Sequence, residues 1–243
     1  MLQSRKQVLK TPEKAPAYRH EYKYEIDELQ SVILRERLSE LMSRDSHTDT
    51  MGGYQVRSLY FDDFRNSCYY DNEDGNEPRE KFRIRIYNGS DRRISLELKK
   101  KSMGKTLKLS CPMTRSQVED LIAGRPLEWD DNADPLMKKF CIWLQTRYGR
   151  PKIIVNYDRI PFIYRDDNVR ITLDRNVTAS VRLEDFFAEE FHGRPVMPVN
   201  RHILEVKYDT FIPDHIFWAV QTNRLNRVTC SKYYICRKFG GIV

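Results

Sequence analysis

Six stretches of this chain alternate charged and apolar residues with a period of two. In residues 18–26, Arg19, Glu21, Lys23 and Glu25 share one parity, and Tyr22, Tyr24 and Ile26 the other. In residues 79–87, Lys81, Arg83 and Arg85 oppose Phe82, Ile84 and Ile86. In residues 94–101, Glu97, Lys99 and Lys101 oppose Leu96 and Leu98. In residues 169–174, Arg170, Thr172 and Asp174 oppose Ile171 and Leu173, and in 203–209, Glu205 and Lys207 oppose Leu204, Val206 and Tyr208. Tyr157 and Arg159 share a face in residues 153–160. Such alternation predicts β-strands with one apolar and one polar side.

Helical periodicity appears between them. Asp27 is placed as the N-cap of a helix through Arg44, with Leu29, Val32, Ile33, Leu38, Leu41 and Met42 near its apolar face. Thr114 and Gln117 form a capping-box pattern, and Gly124 closes the short helix that follows. Asp134-Pro135 opens a helix burying Leu136, Phe140, Trp143 and Leu144. Pro213 opens a last helix through Phe217, Val220 and Leu225. Residues 1–17 read as a flexible basic lead-in, and 18–243 as one domain.

Antiparallel sheets often alternate because one face meets solvent. An ordinary solvated face, however, mixes in Ser, Thr, Asn and Gln, whereas these six faces are almost wholly ionic. They carry ten basic and five acidic residues, which places much of the formal charge of +7 on strands of one parity. An open sheet would show these faces to solvent or a polyanion. A closed barrel would turn them inward and leave the apolar faces outside for the helices. The helices favour the barrel. A cationic lumen repels itself unless an anion fills it, and phosphate chains suit Arg forks and Lys point charges. The interspersed carboxylates suit a divalent metal that bridges phosphate oxygens.

Other chemistries recede. No apolar run approaches the roughly 20 residues of a membrane helix, and the basic, polar start predicts no secretory leader. Five cysteines without a CxxC pair suggest neither a zinc site nor a disulfide framework, and a cytoplasmic, reducing location is expected. The five histidines, including His47, lack ligand spacing. Asp62-Asp63 looks like a metal pair, but adjacent residues point to opposite sides of a strand, so turn or helix capping is expected there. Gly52-Gly53 and Gly240-Gly241 read as turns or tail. Aromatics beside the basic strands have the opposite parity, which argues against a base-stacking nucleic-acid surface.

The segments RHEYKY, SLYFDD, KFRIRIY, LELKKK, NYDR, RITLD, LEVKY and SKY, in this order, resemble the polyphosphate polymerase (VTC) domain of the triphosphate tunnel metalloenzymes, related to CYTH phosphatases. The resemblance implies an α+β fold: a closed antiparallel β-barrel of about eight strands with helices packed outside. It implies a tunnel holding triphosphate or polyphosphate with Mn or Mg, and transfer of the γ-phosphoryl group of ATP to a growing chain. Lys23, Arg83, Arg85, Lys99, Lys108, Arg159, Arg170 and Lys232 are then phosphate contacts, with Arg83, Arg85 and Arg159 catalytic. Glu205 and Glu21 are the metal ligands. Glu97 and Asp174 either join them or orient arginines. CYTH-type hydrolases begin with E-x-E-x-K, whereas this chain has Arg19 first, which leans toward the polymerase branch. A metal-dependent triphosphatase and a non-catalytic polyphosphate binder are the alternatives. ATP and polyphosphate are the expected partners, with no nucleic acid. No membrane span is expected in this chain, although a separate membrane partner is compatible.

Overall fold

The computed structural model describes residues 17–45, 48, 52–222, 225–229 and 231–240. All but the last residue of the expected lead-in lies outside them, as do His47, Cys230 and Gly241. In chain order the elements are β1 (His20–Asp27), α1 (Glu28–Leu41), β2 (Ser43–Arg44), β3 (Tyr54–Asp62), α2 (Ser67–Glu73), β4 (Arg79–Tyr87), β5 (Ser90–Ser102) and β6 (Lys105–Pro112). Then come α3 (Arg115–Ile122), α4 (Pro135–Thr146), β7 (Arg150–Tyr164), β8 (Val169–Ser180), β9 (Arg194–Pro195), β10 (Arg201–Tyr208), α5 (Asp214–Val220), β11 (Asn226–Arg227) and α6 (Lys232–Gly240).

Local chemistry sets the helix starts. Asp27 and Gln30 form a capping box, as do Thr114 and Gln117, and Asp134 caps α4 ahead of Pro135. The face of α1 differs from the expected one. Ser31, Leu34, Leu38 and Met42 are buried, whereas Leu29, Val32 and Leu41 are exposed. Leu34, Leu38 and Met42 are spaced by four residues and form one stripe; Leu29 and Val32 lie off it. α5 ends at Val220 without reaching Leu225, and the last helix is α6, which the sequence pattern did not reveal. Short and aromatic-rich, α6 lacks the apolar repeat that marks a helix on a sheet surface.

The strands form one antiparallel sheet in the order β11-β1-β10-β8-β7-β3-β4-β5-β6, with β2 on β7 and β9 on β8. Eight of these strands are long. The sheet curls until its ends meet at one bridge, where Arg19 and Thr106 exchange two backbone hydrogen bonds of 2.9 Å. Further along β1 the same edge is taken by β11, with Tyr24 opposite Arg227 and Val228 donating to the Lys23 carbonyl. The C-terminal segment therefore fills the seam where β6 would otherwise continue its ladder.

The apolar strand faces point outward, under helices. α3 and α4 cover Phe82, Ile84, Leu96 and Leu98, while α1 and α5 cover Ile171, Leu173, Leu204 and Val206. Burying each such side chain stabilises by roughly 1.5–3 kcal/mol. α6 is different. Its Tyr233 and Cys236 cluster with Val56, Tyr60, Val155, Tyr157 and Ile203, which have the parity of the charged faces. It packs against the inside of the curl and fills part of it.

Two buried polar features hold this arrangement. Arg57, 1% exposed on the outer parity of β3, donates to the carbonyls of Phe186 and Ala188 at 3.0 and 2.7 Å and pins the loop before β9. Asp62 accepts from the amides of Asp63, Cys68 and Tyr69 and from the Tyr233 hydroxyl. Asp63 accepts from Arg65, and from Ser67 twice. The acidic pair thus ties the start of α2, and Asp62 also anchors α6. Asp62→Ala leaves several buried donors unpaired, so it should lower stability by about 2–4 kcal/mol, read as a fall in the urea midpoint at constant slope. An unchanged midpoint would remove Asp62 as the anchor.

Candidate active site

Strand register brings the inward charges together. Arg83 stands opposite Glu97 across β4 and β5, Arg159 opposite Asp174 across β7 and β8, and Lys23 opposite Glu205 across β1 and β10. These cross-strand pairs become ion pairs. Arg83 Nε donates to Glu97 at 2.7 Å, and Lys108 reaches the same carboxylate at 3.1 Å. Arg159 grips Asp174 with two bonds of 2.7 and 2.8 Å and touches Glu205 at 3.2 Å. Lys232, from the first turn of α6, lies 2.5 Å from Asp174. Lys207 donates to Glu205 at 2.8 Å, and Lys23 lies 3.3 Å from Glu21 and 3.7 Å from Glu205. Glu97 and Asp174 therefore orient arginines.

One row is not compensated across strands. Lys81, Lys99 and Lys108 are direct register partners across β4, β5 and β6, and like charges placed opposite one another are destabilising. Lys99 relieves this through Glu21, and Lys108 through Glu97. Among the described residues Lys81 has no carboxylate partner. Its ammonium donates to Ser231 Oγ at 2.9 Å and stands 5.2 Å from the centre of the Tyr233 ring.

The result is a chamber of about 430 Å³. Strands β1, β4 and β5 contribute Lys23, Lys81, Arg83, Arg85 and Lys99. Arg159, Lys207 and Lys232 complete a set of eight basic residues, against which Glu205 is the one acid in the lining among the described residues. It shares Lys23, Lys81, Lys99 and Ser231 with an outer chamber of about 800 Å³, which Glu21 also lines. Burial lowers Lys207 to about 7 despite Glu205 and Glu21, and lowers Lys81 to about 8 despite Tyr60. Burial pushes Glu21 and Asp174 up, but the cations prevail. Lys99, then Lys23 and Lys207, hold Glu21 at about 2 against the charge of Glu205. Arg159 and Lys232 hold Asp174 at about 2. Glu97 and Glu205 also sit well below the usual carboxylate range although buried, held there by Arg85 and Arg83 and by Lys207 and Lys23.

Of the residues expected at the site, Lys23, Arg83, Arg85, Lys99, Arg159, Glu205 and Lys232 line the inner chamber, and Glu21 the outer one. Lys108 and Arg170 line neither. Lys108 reaches in only to Glu97, and Arg170 is held by Asp45 and Tyr54, each at 2.8 Å. Glu25 is exposed near Arg201. The expectation that aromatics avoid the charged parity fails for Tyr60 and Tyr157, which line the inner chamber. Tyr60 accepts from Arg83 at 2.9 Å and Tyr157 from Arg85 at 3.3 Å. A phenol can pack its ring in the core and offer its oxygen to a cation. Tyr157 shares its parity with Arg159, a usable signal; Ser231 and Asn72 (on α2) lie outside the alternating strands and gave none.

The carboxylates imply a pH limit. Folded-state values near 2 lie below the unfolded value of about 4, so the stability they contribute is present above pH 4 and lost as pH falls toward 2. The melting temperature should hold from neutrality to about pH 5 and drop steeply below about pH 4. A melting temperature that stays level down to about pH 2 would contradict the buried ion-pair network.

No curated protein sequence matches the chain. Among solved structures it is similar to an adenylate cyclase candidate from Bacillus halodurans (12% identity, TM-score 0.47, covering 79% of this chain and 81% of that one). It is also similar to the PH1819 protein of Pyrococcus horikoshii (16%, TM-score 0.41, 84% of each chain). A third is HpAC1 of Hippeastrum, an adenylyl cyclase candidate described with a dominant triphosphatase activity (12%, TM-score 0.42, 78% and 79%). These likenesses are distant. The VTC domain, by contrast, matches residues 18–239, nearly the whole span that builds the curled sheet and its chamber, and the chain belongs to the VTC domain family.

Proposed function

We propose that the chain is a metal-dependent phosphoryl-transfer enzyme, an ATP-dependent polyphosphate polymerase that passes the γ-phosphate of ATP to a growing polyphosphate and releases ADP. The observation that carries this reading is the inner chamber, lined among the described residues by eight basic side chains and one carboxylate, with Glu21, Glu97 and Asp174 paired to those bases around it. A guest with several negative charges in a small volume offsets the remaining excess, and a triphosphate has that density.

Transfer between phosphates asks for alignment and charge stabilisation more than for covalent chemistry. The attacking oxygen of a phosphate chain is already an anion, so no strong base is needed. Arg83 and Arg85 on β4 and Arg159 on β7 present planar donor forks, each fixed from behind by a carboxylate or hydroxyl. Held this way, they can meet charge developing on the transferred group and on the leaving diphosphate without reorganising. Lys23, Lys81, Lys99, Lys207 and Lys232 add point charges along the chain's path.

Mn or Mg fits the residues present. Glu21 and Glu205 converge on the Lys23 ammonium, and the charge of Glu205 raises the proton affinity of Glu21, so a cation between them is favoured. Among the described residues no group of three or more His, Cys, Asp or Glu side chains forms a metal site. Mg-type ions commonly take one or two carboxylates and complete their shell with water and substrate phosphates. Such an ion would supply charge neutralisation on phosphate oxygens. Arg19, where related hydrolases carry a third carboxylate, turns to the Asn168 carbonyl at 3.3 Å, which favours the polymerase reading over a triphosphatase. No helix among the described residues is long and apolar enough to cross a membrane.

Purified protein incubated with ATP and Mn or Mg should yield ADP and long polyphosphate on a gel. Orthophosphate as the sole phosphate product would replace the polymerase by a triphosphatase, and tight triphosphate binding without turnover would make it a binder. Arg83→Ala should lower kcat/KM by about 100-fold or more, and Glu205→Gln should abolish metal-dependent turnover. Activity equal to that of the unaltered protein would remove either residue from its role.

A further inference from the structure

The two chambers differ in chemistry as well as position. The inner one is almost entirely cationic. The outer one mixes six cations and two acids with six neutral residues. Thr106 on β6 and Ser231 just before α6 supply two of the neutral groups, and the other four come from two places. Cys68 and Asn72 lie four residues apart on α2 and so share one of its faces, and Val228 and Thr229 come from the segment that fills the seam beside β1. Lys23, Lys81 and Lys99 line both chambers and so mark the passage between them. A phosphate chain in the inner chamber thus continues outward into a space that is roomier, less charged and walled in part by neutral side chains.

The polar groups of that wall are mostly committed. Arg79 donates to the carbonyls of Asp71 and Asn76 at 3.1 and 2.9 Å, Cys68 Sγ donates to the Glu80 carbonyl at 3.4 Å, and Glu80 accepts from Lys139 at 2.7 Å. The Arg227 guanidinium lies over the Tyr22 ring at 4.2 Å. The hydroxyls of Thr106 and Thr229 make no hydrogen bond to a described residue, and Asn72 is the carboxamide left uncommitted in this lining. Its side chain makes no hydrogen bond to any described residue, yet it lines the chamber. A carboxamide offers a donor and an acceptor side by side, the complement of the amino group and adjacent ring nitrogen of adenine; guanine presents two acceptors at the same edge and suits an arginine. The arginines here are engaged elsewhere.

We propose that the outer chamber is a nucleoside site in which Asn72 reads the adenine edge and so gives the enzyme its preference for ATP. The inference rests on the inner chamber holding phosphate. The base lies between the Cys68–Asn72 face of α2 and Val228, outside the lysine passage, while the triphosphate extends inward toward Arg83 and Arg85.

Calorimetric titration in chelator, which prevents turnover, separates the two readings. ATP, GTP and tripolyphosphate are titrated into the unaltered protein and into Asn72→Ala. ATP should bind the unaltered protein roughly tenfold tighter than GTP, and Asn72→Ala should remove that preference. Tripolyphosphate, which has no base, should bind both proteins alike; this also shows that the variant is folded. Tripolyphosphate binding with equal ATP and GTP affinities in the unaltered protein overturns the Asn72 assignment and leaves the phosphate chamber standing. A preference for ATP that survives Asn72→Ala likewise overturns it. Failure of tripolyphosphate to bind overturns both.

Discussion

Everything in this molecule is arranged around an excess of positive charge enclosed by a curled sheet. Eight cations converge on one small chamber, and in a poorly hydrated interior their repulsion is far stronger than in water. The chain tolerates this by seating Glu21, Glu97, Asp174 and Glu205 among them, each gripped by two or more basic groups. These carboxylates are too few to neutralise the cavity. Their effect is to fix the directions of the arginines while leaving a surplus of basic groups, and burial lowers the proton affinities of Lys81 and Lys207 among them. A multiply charged anion completes what the protein leaves open.

The surplus also constrains the scaffold. Long inward side chains need a concave wall with room at its centre, and the apolar faces on the outside need cover. Helices α1, α3, α4 and α5 provide that cover. The interior is not filled by charge alone. α6 occupies part of it with Tyr233 and Cys236, and from its first turn sends Lys232 to Asp174. The link from Tyr233 to Asp62 fixes this helix to β3 and α2, so the acidic pair that first suggests a metal site instead anchors a wall of the chamber.

Much of the site is legible in the sequence. Parity alone placed Lys23, Arg83, Arg85, Lys99, Arg159 and Glu205 on one side of their strands, because a strand has no other way to present alternate residues. Parity does not say how far along the barrel a residue sits. Arg170 and Lys108 share the inward face and yet miss the chamber, since depth depends on register and on where the sheet bends. Tyr60 and Tyr157 escaped a rule that sorted aromatics with apolar residues, because a phenol can serve the core and a cation together.

The sequence by itself determined the antiparallel strands, their charged parity, the caps of α1, α3 and α4, and through eight ordered segments the family. These are properties of neighbouring residues, set by backbone geometry and short-range hydrogen bonding. Only the tertiary structure decided which cations share a chamber, that the C-terminal segment occupies the seam beside β1, and that α6 lies within the curl. It also decided that Asn72, in a helix with no charged alternation, faces the same outer chamber as Lys81. Several of those relations join residues more than a hundred positions apart, and they follow from sheet curvature and strand register, which no local pattern encodes.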